Sequence, residues 1–249
     1  MGLEPDTILL LFGTGLLAGM VDAIAGGGGL ITLPVLLFTG LGPTEALATN
    51  KLQGSFGTFS ASLYFVRRRL VKLSEIRLLI LCTFAGSAGG TLLVQYTEPG
   101  ILERIIPLLL IATALYFLFA PPISEEQGKQ RIAYPLFALG IGFGVGFYDG
   151  FFGPGAGTFF AVGGVLLMGF NLVQTTAHTK VLNFTSNIAS LLFFALAGQV
   201  VWKLGLVMAT GQLIGARFGA RMVLREGARL IRPLIVVVTI LISIKLLMR

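Results

Sequence analysis

Cysteine, histidine and tryptophan are almost missing from this chain: Cys82, His178 and Trp202 each stand alone among 249 residues. A single cysteine rules out an intramolecular disulfide framework. One cysteine with one histidine also rules out the ligand spacings of a structural zinc site or an attached haem. Charge is scarce as well, at 12% of residues, too little to clothe a soluble domain. No phosphate-binding loop, histidine-glutamate zinc motif, nucleophile elbow or carbonyl selectivity filter is present. The chain is therefore expected to carry no cofactor and no metal, and not to be an enzyme; His178 has no partner constellation around it.

What the chain has is apolar length. Hydrophobic residues make up 55% and mean hydropathy is +0.90, so a soluble fold would expose far too much apolar surface. Runs long enough for a hydrocarbon core of about 30 Å cover residues 45–66, 74–96, 101–120, 174–198, 200–216 and 230–248. The first apolar run starts at Thr7 behind Glu4 and Asp6 with no basic residue ahead of it, unlike a cleaved signal peptide, and is expected to belong to the mature fold. The net charge of +7 would suggest nucleic acid in a soluble protein. Here the basic residues gather beside the spans, so they read as orientation signals and the partner is the lipid bilayer, not nucleic acid.

The chain also repeats itself. Gly13, Gly15, Gly19, Asp22, Gly26 and Gly28 recur as Gly140, Gly142, Gly146, Asp149, Gly153 and Gly155, always 127 positions on. Ala48, Lys51, Leu63, Phe65, Gly86 and Gly90 recur as Ala177, Lys180, Leu192, Phe194, Gly215 and Gly219 at 129, after a two-residue insertion. The polar stretch around Pro121–Arg131 divides the copies. The domains expected are an N-terminal repeat 1–120, a linker 121–132 and a C-terminal repeat 133–249.

Arginine placement sets the orientation of each copy. Arg67, Arg68, Arg69, Lys72 and Arg77 crowd the loop after the second element of the first copy, and the matching loop of the second holds only Lys203. There, Arg217, Arg221, Arg225, Arg229 and Arg232 crowd the next loop along. A bias displaced by one loop predicts two inverted repeats in an all-α polytopic membrane protein. Each repeat then has a glycine-broken re-entrant or hairpin first element, within 7–40 or 133–170, followed by three transmembrane helices. Non-helical backbone at membrane depth survives only inside protein or around a watery cavity, which places both glycine clusters between the halves.

Broken helices duplicated in inverted halves mark the substrate site of a secondary transporter. Helices starting near Leu30 and Thr158 would point N–H groups and positive dipole ends at a small anion. The substrate-binding candidates are Gly26, Gly27, Gly28 and Gly29, then Gly153, Gly155, Gly157 and Thr158, with Lys51 and Lys180 supplying positive charge. For the lysines, the alternative is snorkelling or an ion pair with Asp22 or Asp149. Those aspartates are duplicated intramembrane carboxylates, either coupling a proton to transport or anchoring the broken helices. Asn50, Gln53, Asn183 and Asn187 add amides and Thr185 and Ser186 hydroxyls. His178 can shuttle protons or serve as a hydrogen-bonded structural residue. Gly86, Gly90, Gly215 and Gly219 read as helix-packing glycines.

The segment from Asp22 through Gly26-Gly27-Gly28-Gly29 to Pro34, the Ala48-Thr49-Asn50-Lys51 run, and their counterparts Gly153–Thr158 and Ala177-His178-Thr179-Lys180 resemble the sulfite exporter TauE/SafE family. The resemblance spans nearly the whole chain. It implies a multi-pass transporter in the plasma membrane of a prokaryote, moving sulfite, an organosulfonate or a related sulfur oxyanion. The residues themselves point to a small anion but not to sulfur. An anion channel, or a carrier for another small organic anion, is the alternative, and nothing in the sequence indicates oligomeric state.

Overall fold

The computed structural model describes residues 5–119 and 127–222. Among them the regular structure is entirely helical. Helix α1 (Pro5–Ala25) turns at the glycine cluster into the ten-residue α2 (Gly29–Phe38), and α3 (Pro43–Arg67), α4 (Arg77–Gln95) and α5 (Pro99–Phe119) follow. After the linker come α6 (Tyr134–Phe137), a π-helical turn over Ala138–Phe143, and α7 (Gly144–Phe151). Then α8 (Ala156–Gly163) ends in a second π turn, Gly164–Met168, before α9 (Leu172–Leu196) and α10 (Trp202–Met222).

Local chemistry sets these boundaries. Pro43 opens α3, where a missing N–H costs nothing, and Glu45 accepts the Gly42 N–H at 3.2 Å. Asn171 and Gln174 close a reciprocal capping box on α9, at 3.0 and 3.3 Å. Both helices have 25 residues, about 37 Å of helix, and their bounds lie 129 positions apart, the offset of the sequence repeat.

Pro5–Ala23, Arg77–Gln95, Pro99–Phe119 and Leu172–Leu196 are long and apolar enough to cross a membrane. Helix α3 is as long but buries Thr49, Asn50, Lys51 and Gln53. The expected span 230–248 lies outside the described residues, as do Arg225, Arg229 and Arg232. Outward positions are greasy, with Leu9, Leu81, Leu139 and Leu196 all exposed, whereas polar side chains fill the interior. That distribution suits lipid as solvent.

The glycine-broken segments are unequal hairpins rather than symmetric ones. In the first, α1 is a continuous helix of 21 residues against ten in α2. In the second, the long arm is interrupted by the π turn at Gly140 and Gly142. Pitch changes of this kind arise where a helix must accommodate an extra residue, often beside a functional site.

The hairpins' long arms pack against helices from the other side of the linker, α1 along α10 and α7 along α4. Glycine makes the approach possible. A methyl at Gly146 would stand 2.6 Å from the Thr83 carbonyl oxygen, and methyls at Gly15, Gly19, Gly86, Gly90, Gly150, Gly211 and Gly215 would overlap facing backbone in the same way. Gly13 and Gly140 meet nothing. Most of the repeated glycines are thus seams between helices, including two pairs within the pattern that flanks the aspartates.

The end of the linker is fixed to the second hairpin. The Gly128 N–H donates to the Gly169 carbonyl at 2.9 Å and the Arg131 N–H to that of Leu167 at 2.8 Å. The preceding residues, 120–126, lie outside the described part.

Candidate functional site

Both hairpins turn on a glycine in the left-handed region, Gly26 at φ 76° and Gly153 at φ 103°, 127 positions apart. Only glycine adopts such a backbone without strain. The second turn needs another at Gly155, φ 85°, where the first has Gly28 in ordinary helical conformation. The second connection is also one residue longer, 152–155 against 26–28, and carries Pro154 where the first has Gly27.

The tips then touch. A methyl on Gly26 would lie 3.2 Å from Gly157 Cα, and one on Gly29 3.2 Å from Pro154 Cα. Helices α2 and α8 start immediately beyond, within two residues of the expected positions. The N–H groups of Leu30 and Ala156 already donate to the carbonyls of Gly27 and Gly153, both at 3.0 Å, so the helices bring mainly the positive ends of their dipoles to this region. Between the tips and the middle of α3, α9 and α10 lies a cavity of about 40 Å³. One water needs about 10–15 Å³ by that measure, so the space suits about three waters or one small oxyanion.

Of the residues singled out in the sequence, Asp22, Gly26, Gly29, Asn50, Lys51, Gln53, Asp149, Gly153, Gly155, Gly157, Asn183 and Asn187 line this cavity, whereas Lys180 is not among its lining residues. Gly27 packs under the Phe117 ring and Gly28 against Ala18 and the Asp22 Cβ, as parts of the turn. Thr158 is buried in the first turn of α8, donating its N–H to the Gly155 carbonyl at 2.9 Å. His178 is apart from the cavity: Nδ1 sits 2.7 Å from the Gln174 carbonyl and the ring stacks on Phe170 at 4.6 Å.

The lysines are engaged by aspartates across the linker. Lys51 Nζ lies 2.7 Å from Asp149 Oδ1 and also donates to the Asp149 carbonyl. Its counterpart Lys180 donates to the Asp22 carbonyl and stands 3.6 Å from Asp22 Oδ2. Lys51 and Lys180 are 1% and 2% exposed. Burial at that level requires a partner, and the ion pair that the sequence left as an alternative for each lysine is present in both places. The four charges cancel, so any pull on an anion comes from helix ends and amides as well as the ammonium groups.

Amides complete the wall. Thr32 Oγ1 donates to Asn50 Oδ1 at 2.6 Å, and Gln53 Nε2 donates to the same oxygen at 2.7 Å. Gln53 Oε1, Asn183 Oδ1 and Gln212 Oε1 are buried with no hydrogen-bond partner among the described residues, although all three side chains line the cavity. Unpaired buried acceptor oxygens of this sort call for a donor, such as ordered water or a protonated group. Gln212 escaped the sequence reading. Its signal was an amide alone in the apolar run of α10.

Comparison with known proteins now bears on this arrangement. The model of the sulfite exporter TauE/SafE family matches residues 11–246. The chain belongs to that family. It is 52% identical to the probable membrane transporter protein YfcA of Escherichia coli (strain K12), over 98% of this chain and 91% of that protein. A probable membrane transporter protein of Haemophilus influenzae is 49% identical over 99% and 96% of the two chains. YunE of Bacillus subtilis, also a probable membrane transporter protein, is 25% identical over 96% and 97%. With its apolar helices, this family member is a multi-pass transporter of the cell membrane.

Proposed function

We propose that this transporter is a secondary carrier for a small anion, sulfite, an organosulfonate or a related sulfur oxyanion, bound in the cavity between the hairpin tips. The observation that carries the reading is that two glycine breaks at equivalent positions open the starts of two helices into one small polar cavity. Helix N-termini favour negative charge, amide side chains donate to oxyanion oxygens, and Lys51 and Lys180 hold the local charge from falling below zero. The family description supplies sulfur; the cavity supplies size and polarity.

The same geometry supports two inverted repeats divided at the linker. Lys51 with Asp149 and Lys180 with Asp22 are one contact made twice, each time by a residue of one half on the other. A pseudo-twofold axis in the membrane plane produces such reciprocity, and rocking of the halves about it is how carriers of this architecture alternate access.

A ligand that binds only the folded protein raises its stability by about 2.7 kcal/mol at a hundred times Kd. Thermal unfolding of the purified protein should therefore shift upward with sulfite, sulfate, thiosulfate or methanesulfonate and stay unchanged with a bulky aromatic sulfonate. The same melting temperature in every anion would sink the proposal.

A further inference from the structure

Asp22 and Asp149 occupy equivalent positions but are held differently. Both carboxylate oxygens of Asp149 are engaged, Oδ1 by Lys51 at 2.7 Å and Oδ2 by the Ser186 hydroxyl. The backbone around it is tied down as well: Thr91 donates to the Gly150 carbonyl at 3.1 Å, and the Tyr148 hydroxyl to that of Pro154 at 2.6 Å. Ser87 extends the stitching from α4 to α9 through the Ser186 carbonyl at 2.7 Å and Ser190 at 2.8 Å.

Among the described residues, Asp22 has none of this support. Its Oδ2 is 3.6 Å from Lys180, beyond a normal hydrogen bond, and its side chain is 13% exposed against 6% for Asp149. The position equivalent to Ser186 is Gly57, which has no hydroxyl, and the position equivalent to Tyr148 is Val21, which has no phenol. Lys180 meanwhile donates to the Asp22 backbone carbonyl, so its ammonium keeps an acceptor whatever the charge on the carboxyl.

We propose that one proton binds at Asp22 together with the anion, while Asp149 stays ionised as a fixed anchor. This rests on the anion reading above. Among the described residues, the elements around Asp22 bring it one charged side chain, Lys180 from α9. Lys51 of α3 and Asp149 of α7 share the cavity but pair with each other, α10 contributes Gln212, and α2 and α8 contribute Gly29, Ala156 and Gly157. Tyr64 of α3 packs beside Ala23. With both aspartates ionised the two pairs sum to zero. A proton delivered from water to an Asp22 carboxylate oxygen forms one O–H bond, breaks no bond in the protein, and leaves the site with one positive charge for the anion to meet. Gln53, Asn183 and Gln212 also offer unpaired acceptor oxygens around the cavity, and a protonated carboxyl is a donor where a carboxylate is not.

Infrared difference spectroscopy on the purified protein in lipid, stepped through pH, reads this without any substrate. The wild type should gain one buried carboxylic C=O band as pH falls. Asp22→Asn should lose the band, Asp22→Glu should shift its frequency, and Asp149→Asn should retain it. If Asp22→Asn does not fold, the frequency shift in Asp22→Glu makes the assignment. Methanesulfonate, which does not itself titrate in this range, should raise the band by up to about twofold at the pH where it is half developed, because binding linkage is reciprocal. No band, a band that survives Asp22→Asn or is unmoved in Asp22→Glu, or one removed by Asp149→Asn overturns the assignment. An anion that shifts thermal unfolding yet leaves the band unchanged overturns the joint binding. If no anion shifts unfolding, the anion reading and the joint binding fall together, while the band still decides whether Asp22 takes the proton.

Discussion

Alanine in place of Lys51 is expected to destabilise the protein by about 3–5 kcal/mol, the usual consequence of stranding a buried charge, and to abolish transport. Lys51 is 1% exposed and holds both a carboxylate oxygen and the backbone carbonyl of Asp149, so its removal leaves Asp149 ionised with only Ser186 and uncaps the end of α7. The equivalent change at Lys180 should cost less, because that pair is 3.6 Å apart and its carboxylate is more exposed. Replacing the first pair together, Lys51→Met with Asp149→Leu, should recover much of the lost stability, since an apolar pair needs no desolvation. It should not recover flux. Thermal unfolding and flux measured on the same three preparations check both halves of the prediction, and equal stability for Lys51→Ala and wild type would contradict the first.

A methyl at Gly150 is expected to do comparable damage by a different route. It would overlap the Ser87 carbonyl, which belongs to the backbone of α4 and cannot yield as a side chain could, while the methyl is fixed to the backbone of α7. Overpacking typically costs about 1–3 kcal/mol and occasionally more, and here α7 must move away from α4 and carry Asp149 off Lys51. Gly144→Ala on the same helix meets nothing within 4 Å and should change stability by less than about 0.5 kcal/mol. Comparing the two variants for unfolding temperature and flux separates a lost backbone seam from a general effect of removing glycine. Similar behaviour of the two would remove the seam as an explanation.

Several of these features could be read in the sequence. The offset of 127 located both helix breaks, because left-handed turns need glycine and the chain places it at matching positions, Gly26 and Gly153. The duplicated lysines and aspartates were likewise visible as charges in apolar helices. Their pairing was not: Lys51 meets a residue 98 positions away and Lys180 one 158 away, and nothing local distinguishes a partner in the same copy from one in the other. Gly86, Gly90, Gly215 and Gly219 could be read as packing glycines, but within the pattern around the aspartates the seam glycines could not be separated from the turn glycines, since nothing local tells Gly15, inside α1, from Gly26, at the left-handed turn.

The asymmetry of the two carboxylates was encoded too, in Gly57 standing where the other copy has Ser186. It carries meaning only once the helix is known to present that position to the aspartate of its own half. The π turns at Ala138–Phe143 and Gly164–Met168 had no sequence signal beyond glycine content, because a one-residue change of pitch preserves the apolar pattern.

The central claim is that the two hairpin tips flank a site that binds one small anion and opens alternately to either side. Counterflow of labelled sulfite into proteoliposomes preloaded with unlabelled sulfite tests it most directly. The account predicts exchange that saturates with sulfite and is lost in Lys51→Ala; unitary conductance with no exchange, or no flux in the wild type, would contradict it.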